Sequence, residues 1–367
     1  MKKILHISGS LAAGGLEKVA SQYAKYLQSD EVKVDYLVFN GKSSNIGFED
    51  LVQRYGSRIF TISDPKANFM KFFMDFIKVL KQNGPYDIVH SHLFMASSYI
   101  LFISKLNHVP LCIAQSHSIK RSEQSNVKNY MYPILRKILN YSADVFCASS
   151  YEAGIYLFGE KCFKNKGVVL QNPIDLDMYR YCKEQREQMR KKLHIDASQK
   201  VIGTIGRLVK SKNISFLLDY VNQCNLDVRI LIIGDGVERS SLTKKIAEYQ
   251  MEDRVIMLGN RSDIAELLST MDVFVFPSRH EGFGMVLIEA MANGLDCIVN
   301  QDAIIDSICK LPNCHPLDGY DPVQWAKKTK QLLSTSRSTC YKEQIFALKE
   351  FSIERWLSIV KKMYRIQ

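Results

Sequence analysis

The sequence has no apolar run long enough to cross a bilayer. Its longest apolar stretches, such as residues 99–103 and Val273–Phe276, are far shorter than the about 20 residues that a membrane-spanning helix requires. The residues after Met1 also lack the apolar core of about 7–15 residues and the cleavage site of a signal peptide. We therefore expect a cytoplasmic protein.

The sequence also lacks a disulfide or zinc framework. Its nine cysteines are an odd number, they are scattered along the chain, and no two form a C-x-x-C pair. Several lie within apolar segments that are typical of strands. We expect reduced, mostly buried thiols.

The composition is that of a globular protein with two, or at most three, domains. Hydrophobic residues make up 46% and charged residues 24% of the 367 residues, which excludes a disordered, collagen-like or coiled-coil chain. The 49 basic residues outnumber the 38 acidic ones, mainly in the N-terminal half, and the net charge is +11. This excess suits a nucleic acid, a phosphate-bearing small molecule or an anionic membrane surface, and charge alone does not choose among them.

Short apolar segments alternate with longer amphipathic segments along the chain, which predicts an α/β fold of doubly wound parallel sheets. Strands are predicted at residues 3–8, 33–39, 88–90, 111–114, Val201–Ile205, 228–233, 255–258, Val273–Phe276 and 297–300. Helices are predicted at residues 16–28, 70–82, 96–106, Ile214–Gln223, 238–249, Ile264–Thr270 and 285–293. This alternation of segments is interrupted at the charged residues 177–200. We therefore place domains at 1–178 and 179–354. Ligands bind beyond the carboxyl ends of such strands, which makes a cleft between the two domains the expected site.

Glycine-rich and basic loops follow several predicted strands. Residues 8–17 place Gly14 and Gly15 ahead of a helix, where backbone amides can approach a phosphate. The spacing is not the G-x-G-x-x-G of a nicotinamide site, and a tight strand-to-helix turn is the alternative. Arg207 and Lys212 share one loop and are able to converge on a diphosphate, the alternative being a solvated basic loop.

Residues 272–294 are the most informative stretch, with the pattern of strand, loop, helix and glycine stop. Glu281 lies in the loop and Glu289 one to two turns into the helix, so both carboxylates can face one ligand. Gly282 and Gly284 would present backbone N–H groups to an anion just ahead of the helix. An ionised carboxylate only accepts hydrogen bonds, so two carboxylates beside a diphosphate indicate a ligand rich in sugar hydroxyls.

At these residues the chain resembles the retaining glycosyltransferases of family 4, which have the GT-B fold of two Rossmann-like domains facing across a cleft. Glu281 and Glu289 match the E-x7-E signature of that family. The other segments that match in order and approximate spacing are Gly14-Gly15-Leu16-Glu17, Asn172-Pro173-Ile174-Asp175, Gly206-Arg207-Leu208 with Lys212, and Gly234-Asp235-Gly236. The resemblance spans nearly the whole chain, and it implies that residues 355–367 form a helix crossing back onto the N-terminal domain.

The resemblance also implies a role for each matching residue. Glu289 would accept hydrogen bonds from the nucleotide ribose, and Glu281 would contact the donor sugar. Arg207 and Lys212 would neutralise the diphosphate, whereas His117 and Glu281 would be the catalytic residues at the reacting centre. The other donor-binding residues that it implies are Gly15, Gly234, Gly282, Phe283, Gly284 and Arg261, with the base near Arg261.

His90 and His92 form a His-x-His pair at a predicted strand end and match a common motif of the family. A metal site and simple packing are the alternatives. The sequence shows no third ligand at a suitable spacing, so no metal ion and no other cofactor are predicted. Cations and backbone amides would stabilise the leaving diphosphate instead.

Two departures from the family pattern leave the transferred sugar unassigned. The family has a proline near position 296, where this chain has Asp296. The segment Asn300-Gln301-Asp302-Ala303 also diverges from the loop that commonly reaches the donor.

Two basic amphipathic segments are candidates for lying on an anionic membrane. In residues 66–81 the aromatic side chains recur at helical spacing, which favours packing in a core. Residues 118–141 follow the catalytic histidine directly and carry Lys120, Arg121 and Lys128. This second segment is therefore the predicted docking site for a lipid-linked acceptor.

Together these patterns predict a hexosyltransferase-type glycosyltransferase of enzyme class 2.4. It would move a sugar from a nucleoside diphosphate donor, UDP-linked, to a hydroxyl of a saccharide or lipid-linked acceptor. Capsule or exopolysaccharide biosynthesis at the inner face of the plasma membrane is the predicted setting. The alternatives are a nucleotide-sugar 2-epimerase of the same fold and a non-catalytic partner subunit. Nucleic-acid binding fits less well, because the cations form no dense patch with interleaved aromatics.

Overall fold

The computed structural model describes residues 1–9, 11, 15–39, 49–117, 126–281, 283–335, 337 and 341–366. These residues form two compact units, one of Met1–Pro173 with Ile353–Gln367 and the other of Ile174–Ser352. The divisions lie a few residues before the sequence-based boundaries at 178/179 and 354/355. Each unit has its own hydrophobic core around one sheet.

The N-terminal unit contains a seven-stranded sheet in which all neighbouring strands are parallel. Its strands are β1 (Lys2–Ile7), β2 (Val32–Phe39), β3 (Ile59–Ile62), β4 (Ile88–Ser91), β5 (Leu111–Ser116), β6 (Val145–Ala148) and β7 (Gly167–Val169). The strand order is β3-β2-β1-β4-β5-β6-β7. Every residue of β4 and β5 is buried, as expected for central parallel strands covered by helices on both faces.

In the described part of this unit, seven helices connect these strands. They are α1 (Gly15–Leu27), α2 (Glu49–Arg54), α3 (Phe69–Asn83), α4 (Ser97–Leu106), α5 (Asn126–Ser142), α6 (Tyr151–Phe158) and α7 (Glu160–Lys166). Helix α3 shows why such segments fold as they do. The Asn68 side chain accepts a hydrogen bond from the Lys71 amide and caps the helix, and Phe72, Phe76 and Leu80 recur every four residues on its buried face.

The C-terminal unit contains a six-stranded parallel sheet. Its strands are β8 (Val201–Ile205), β9 (Arg229–Ile233), β10 (Val255–Gly259), β11 (Val273–Phe276), β12 (Asp296–Asn300) and β13 (Cys314–Leu317), in the order β10-β9-β8-β11-β12-β13. Its helices are α8 (Lys183–Lys192), α9 (Ile214–Gln223), α10 (Arg239–Glu248), α11 (Ile264–Thr270), α12 (Met285–Ala292), α13 (Asp306–Cys309), α14 (Pro322–Leu333) and α15 (Tyr341–Leu348). The predicted α/β class is confirmed.

Helix α8 lies within the charged stretch at which the sequence analysis placed the domain boundary. Arg186 and Arg190 pair with the two carboxylate oxygens of Asp272, at 2.6 Å and 3.1 Å. Asp272 precedes β11 and also accepts a hydrogen bond from the Val201 amide at the start of β8. This stretch is therefore part of the C-terminal unit, and its helix is attached by these ion pairs together with the buried side chain of Met189.

The last helix, α16 (Ile353–Tyr364), belongs to the N-terminal unit. Trp356, Val360 and Tyr364 recur every four residues and are buried. The Lys2 ammonium donates hydrogen bonds to the carbonyls of Tyr364 and Arg365, at 3.1 Å and 2.6 Å. The chain thus returns to the first strand of the sheet in which it began.

Each sheet has one point at which the strand order reverses. In the N-terminal unit β1 lies between β2 and β4, and in the C-terminal unit β8 lies between β9 and β11. Successive connections leave such a point on opposite faces of the sheet, which opens a crevice at the carboxyl ends of the two strands. The ends of β1 with β4, and of β8 with β11, are therefore the places to look for a site.

The eight cysteines among the described residues are free thiols. Four of them are buried and four are partly exposed, so burial is less general than the sequence predicted. Cys340 lies outside the described residues. No helix in the described part of the chain is both long and apolar enough to span a membrane.

Candidate active site

An ion pair between Lys212 and Glu281 lies at the point where the strand order of the C-terminal unit reverses. Lys212 ends a short 3-10 turn that follows β8, and Glu281 lies in the loop that follows β11. The lysine Nζ is 2.5 Å from the glutamate Oε1, and only 20% and 9% of the two side chains is exposed. The same Nζ lies 5.5 Å from the centroid of the Phe276 ring. Partial burial weakens solvent screening of this pair.

Backbone contacts between glycines hold three strand ends of this unit together. The Gly234 amide donates to the Gly259 carbonyl at 2.7 Å, and the Gly206 amide donates to the Ile233 carbonyl at 2.9 Å. A Cβ atom on Gly234 would lie 2.0 Å from the Gly206 carbonyl oxygen. Only glycine fits there, so close backbone packing by itself accounts for the predicted residue Gly234.

A second set of contacts braces the loop that carries Lys212. The Arg279 amide donates to the Ser211 carbonyl at 2.7 Å, and its guanidinium donates to the Asn213 side-chain oxygen at 3.2 Å. The guanidinium also lies 5.9 Å from the centroid of the Tyr320 ring. Sequence reasoning missed Arg279 and Asn213 as parts of this site. The available signal was that Arg279 lies in the same strand-exit loop as Glu281.

Gly284 directly precedes helix α12, which carries Glu289. Gly284 has a φ of +76°, in the left-handed region that favours glycine, and it is followed directly by the first helical residue. The Glu289 side chain is buried, with 5% exposed, as expected from the apolar residues around it in the sequence. The Phe283 ring is buried 5.7 Å from the Phe351 ring, which is a packing contact of the core.

Three histidines meet at the equivalent point of the N-terminal unit. His6 is on β1, His90 is on the adjacent strand β4, and His92 follows β4 directly. His6 Nδ1 lies 2.9 Å from His92 Nε2, and His92 Nδ1 lies 3.0 Å from Nε2 of His117, which follows β5. Tyr364 of α16 joins the group, because its hydroxyl is 2.6 Å from His90 Nδ1 and 3.2 Å from His6 Nε2.

Burial keeps all four imidazole rings neutral. Desolvation lowers the pKa of His117 to about 3, and it is the main cause that lowers the pKa values of His6, His90 and His92 well below the ordinary 6.5. Mutual repulsion between the rings would add to this effect if they were charged. A neutral imidazole has one N–H donor and one acceptor nitrogen.

The premise that His90 and His92 have no third partner is wrong, because the strand order brings His6 beside them. These three rings offer nitrogen atoms that all lie within 4.8 Å of one another, so the expected absence of a metal ion stays a prediction. The rings of His90 and His92 stack with centroids 4.4 Å apart and planes 27° apart, and those of His6 and His92 stack at 15°. The planes of His6 and His90 are 42° apart, and the ring nitrogens of His6 and His92 that face each other form a hydrogen bond.

Comparison with known families identifies both units. The family model described as "Glycosyltransferase Family 4" matches residues 13–178, and the one described as "Glycosyl transferases group 1" matches residues 185–343. Together these two matches account for most of the chain. The chain is a family 4 glycosyltransferase.

Curated relatives of this glycosyltransferase cover most of its length. An Escherichia coli enzyme named UDP-Gal:alpha-D-GlcNAc-diphosphoundecaprenol alpha-1,3-galactosyltransferase is 25% identical over 313 residues, which is 81% of this chain and 79% of that enzyme. The Staphylococcus aureus capsular polysaccharide biosynthesis glycosyltransferase CapH is 23% identical and covers 94% of both chains. The crystal structure of Anabaena Alr3699/HepE in complex with UDP and glucose is 20% identical, covers 100% of both chains and has a TM-score of 0.82. This structural likeness confirms the predicted GT-B fold.

The glycosyltransferase structure brings together only some of the predicted donor-binding residues. Lys212 and Glu281 are paired, whereas Arg207 is exposed and has no ion-pair partner among the described residues. Arg261 is held in an ion pair with Asp263, whose carboxylate raises the pKa of that guanidinium. Conversely, the hydrogen bonds from Arg261 lower the pKa of Asp263.

Gly15 and Gly282 are the remaining predicted donor-binding glycines. Gly15 is the first residue of α1, where it was expected, although the neighbouring Gly14 lies outside the described residues. Gly282 also lies outside them. Its expected contact with an anion therefore stays a prediction.

Proposed function

We propose that this glycosyltransferase transfers a sugar from a UDP-linked donor to a hydroxyl of a saccharide or lipid-linked acceptor, with retention at the anomeric carbon. The observation that carries the proposal is the partly buried Lys212–Glu281 pair at the strand-order reversal of the C-terminal unit. Two relatives support the chemistry, since the HepE structure contains UDP and glucose and the E. coli enzyme is named for a UDP-sugar donor and a lipid diphosphate acceptor. The name of CapH, a capsular polysaccharide biosynthesis glycosyltransferase, supports a role in surface polysaccharide biosynthesis.

Lys212 is the residue that we assign to the leaving diphosphate. Negative charge develops on the diphosphate as the bond to the sugar breaks, and a preorganised cation in a partly dehydrated site stabilises that charge. Glu281 holds the ammonium in place before the donor binds. Arg207 supplies a second cation at the end of β8, where its planar guanidinium can bind two phosphate oxygens at once. On this proposal no metal ion is needed.

The two carboxylates bind hydroxyl groups of the donor. Glu281 lies next to the proposed diphosphate site, where repulsion between anions is offset only if the carboxylate accepts hydrogen bonds from the donor sugar. Glu289 lies on α12 with its side chain buried, and we assign it to the ribose hydroxyls of the nucleotide. Gly284 and Gly282 precede α12, whose N-terminus favours negative charge.

His117 is the residue of the N-terminal unit that we assign to the reacting sugar. Its ring is neutral because burial lowers its pKa to about 3. A neutral ring of this kind exchanges hydrogen bonds with sugar hydroxyls without introducing a positive charge beside the diphosphate-binding cations. The assignment requires no proton transfer through His117.

Peripheral contact with an anionic membrane is part of the proposal. On α5 the side chains of Met131 and Ile134 are 54% and 63% exposed, and Lys137 lies one turn further along. Apolar side chains next to cations are typical of helices that bind an anionic bilayer surface. Lys120 and Arg121 of the predicted docking segment lie outside the described residues. One apolar face of helix α3 is packed in the core, whereas its side chains Met70 and Met74 are exposed.

Replacing Lys212 tests the central assignment. We expect Lys212→Ala to lower turnover of the donor by about 10²–10³, the usual effect of removing one group that stabilises developing negative charge. Lys244→Ala is the matched control, because Lys244 is an exposed lysine of α10 with no ion-pair partner among the described residues. Steady-state release of UDP from both variants gives the comparison. Near-normal turnover by Lys212→Ala would refute the assignment.

A further inference from the structure

Arg279 binds the two residues that flank Lys212 in the chain. It lies in the loop that follows β11, two residues before Glu281. Its backbone amide donates a hydrogen bond to the Ser211 carbonyl at 2.7 Å, and its guanidinium donates one to the Asn213 side-chain oxygen at 3.2 Å. The loops that carry the two members of the ion pair are therefore joined immediately before and immediately after the lysine.

The contact with Asn213 stabilises an unfavourable backbone conformation. The φ of Asn213 is +52°, in the left-handed region, which few residues with a Cβ atom adopt and which asparagine adopts more often than most. Asn213 is buried and directly precedes α9, but its side chain does not cap that helix. Its side-chain oxygen is bound by Arg279 instead, at the bend where the chain passes from the 3-10 turn of Lys212 into α9.

Tyr320, which lies between β13 and α14, fixes the segment that contains Arg279. Its hydroxyl donates a hydrogen bond to the Ser278 carbonyl at 3.0 Å and accepts one from the Asn300 side-chain nitrogen at 2.8 Å. The centroid of its ring lies 5.9 Å from the guanidinium carbon of Arg279, a distance at which a cation and an aromatic ring attract each other. The Asn213 side chain also interacts with Tyr320. Arg279 is thus held by residues from three different loops at this edge of the sheet.

We propose that Arg279 is a positioning residue for Lys212. Arg279 fixes the backbone from which the lysine side chain extends, and Glu281 then holds the ammonium. A cation stabilises the charge that develops on a leaving diphosphate most effectively when it is held in place before that charge forms. The effect on catalysis rests on the proposed function. The fixed position of Lys212 does not, since it is measurable without a donor.

Two substitutions distinguish positioning of Lys212 from direct binding of the diphosphate by Arg279. Asn213→Gly removes the oxygen that Arg279 binds and keeps both cations, and glycine adopts a φ of +52° without strain. Arg279→Met removes the guanidinium and keeps an unbranched side chain. If Arg279 acts through the loop of Lys212, the two variants share one defect, and the double variant is no worse than either. If Arg279 bound the diphosphate itself, only Arg279→Met would be defective.

Steady-state kinetics of these variants is the first test. We expect turnover of the donor to fall about tenfold in Arg279→Met and in Asn213→Gly, because small displacements of a catalytic group are costly. KM for the donor should change little, since the weakened interaction belongs to the transition state. The double variant should also lose about tenfold rather than the about hundredfold of two independent effects.

Arg229→Met is the matched control for the loss of a guanidinium. Arg229 begins β9, at the amino end of a strand in the same sheet, far from the carboxyl ends that carry Lys212 and Glu281. Its guanidinium donates a hydrogen bond to the His194 carbonyl at 3.4 Å. This variant should keep the turnover of the unsubstituted protein.

Nitrogen NMR of the ¹⁵N-lysine-labelled full chain tests the position of Lys212 without a donor. The ammonium protons of exposed lysines exchange rapidly with water, whereas those of a partly buried, ion-paired lysine exchange more slowly and give a signal. We expect such a signal for Lys212, assigned by its loss in Lys212→Ala, and we expect it to broaden or disappear in Arg279→Met and in Asn213→Gly. The signal of Lys245, which pairs with Asp219 at 2.6 Å, should stay unchanged as an internal reference.

Several results would overturn the proposal. Normal turnover by Asn213→Gly would do so, and a loss confined to Arg279→Met would show that Arg279 contacts the donor directly. Losses that multiply in the double variant would mean that the two residues act independently. A Lys212 signal that is the same in every variant would also contradict the proposal. If the unsubstituted protein turns over no nucleotide sugar, the proposed function fails, and the NMR comparison still decides whether Arg279 fixes Lys212.

Discussion

At the scale of single residues, the site depends on how burial controls charge. Lys212 and Glu281 form an ion pair in which each provides the countercharge of the other at 2.5 Å. The buried histidines have no such partner among the described residues, so burial keeps them neutral. The same physical effect therefore yields an ion pair in one unit and a chain of uncharged rings in the other.

The neutral histidines predict how stability depends on pH. Below about pH 6.5 the unfolded chain protonates His6, His90 and His92, whereas the folded protein does not, because burial lowers their pKa values. The unfolded state then binds more protons, so the free energy of unfolding falls as the pH falls. Each ring contributes up to about 1.4 kcal/mol per pH unit in this window.

Urea denaturation at pH 7.5, 6.5 and 5.5 measures this dependence. We expect His90→Gln to reduce the slope of stability against pH, and His108→Gln, at an exposed position, to leave it unchanged. A free energy of unfolding that stays constant between pH 7.5 and 5.5 would contradict the neutral state of the rings.

At the scale of elements, the ends of the strands define the site. Gly234 and Gly319 both have positive φ angles, of +127° and +62°, but their surroundings differ. A Cβ on Gly234 would meet the Gly206 carbonyl oxygen at 2.0 Å, whereas a Cβ on Gly319 would have no atom within 4 Å. The packed strand ends should therefore tolerate no side chain at Gly234.

Alanine substitutions at these two glycines test this packing. Gly319→Ala should cost about 1–2 kcal/mol through backbone strain alone. Gly234→Ala adds a clash between backbone atoms and should cost at least about 1–3 kcal/mol more, or prevent folding. Chemical denaturation of both variants gives the difference. Equal losses of stability would show that the strand ends are not packed as described.

Much of the fold was predictable from the sequence because the central strands and helices have clear hydrophobic periods. The bounds of β8, β11, α9 and α11 agree with the predicted ones. Helix α8 was missed since seven of its ten residues are charged and its attachment depends on Asp272, far along the chain. Strands β3, β6, β7 and β13 were also missed; each has three or four residues, and β7 and β13 contain a glycine and a proline, which are uncommon in strands.

The candidate site was predictable only where the residues lie in one loop or one matched motif. Lys212 and Glu281, predicted in this way, form an ion pair in the structure, and the roles of these two residues and of Glu289 stay predictions. His6 was missed because it belongs to no local motif, and its contact with His92 arises from the pairing of β1 with β4. Tyr364 was missed for a similar reason, since it reaches the histidines only through the return of α16 to the N-terminal unit.

At the scale of the whole molecule, the net charge of +11 and the exposed apolar face of α5 predict binding to anionic membranes. The protein should sediment with vesicles containing phosphatidylglycerol more than with pure phosphatidylcholine vesicles, and added salt should weaken the binding. The double variant Met131→Ser, Ile134→Ser should bind less. Val323→Ser, at an exposed valine of α14 in the C-terminal unit, is the control. Binding that does not depend on lipid charge and is unchanged by the double substitution would exclude this surface of α5 as the membrane-binding site.

The central claim is that the protein transfers a sugar from a nucleoside diphosphate donor without a metal ion. The most direct measurement is release of nucleoside diphosphate from a panel of nucleotide sugars in the presence of EDTA, with a lipid-linked acceptor added or withheld. The account predicts release from one UDP-sugar that depends on the acceptor and persists in EDTA. Conversion of the donor without acceptor would indicate an epimerase, absence of any donor binding would indicate a non-catalytic subunit, and loss of release in EDTA would contradict the role of Lys212.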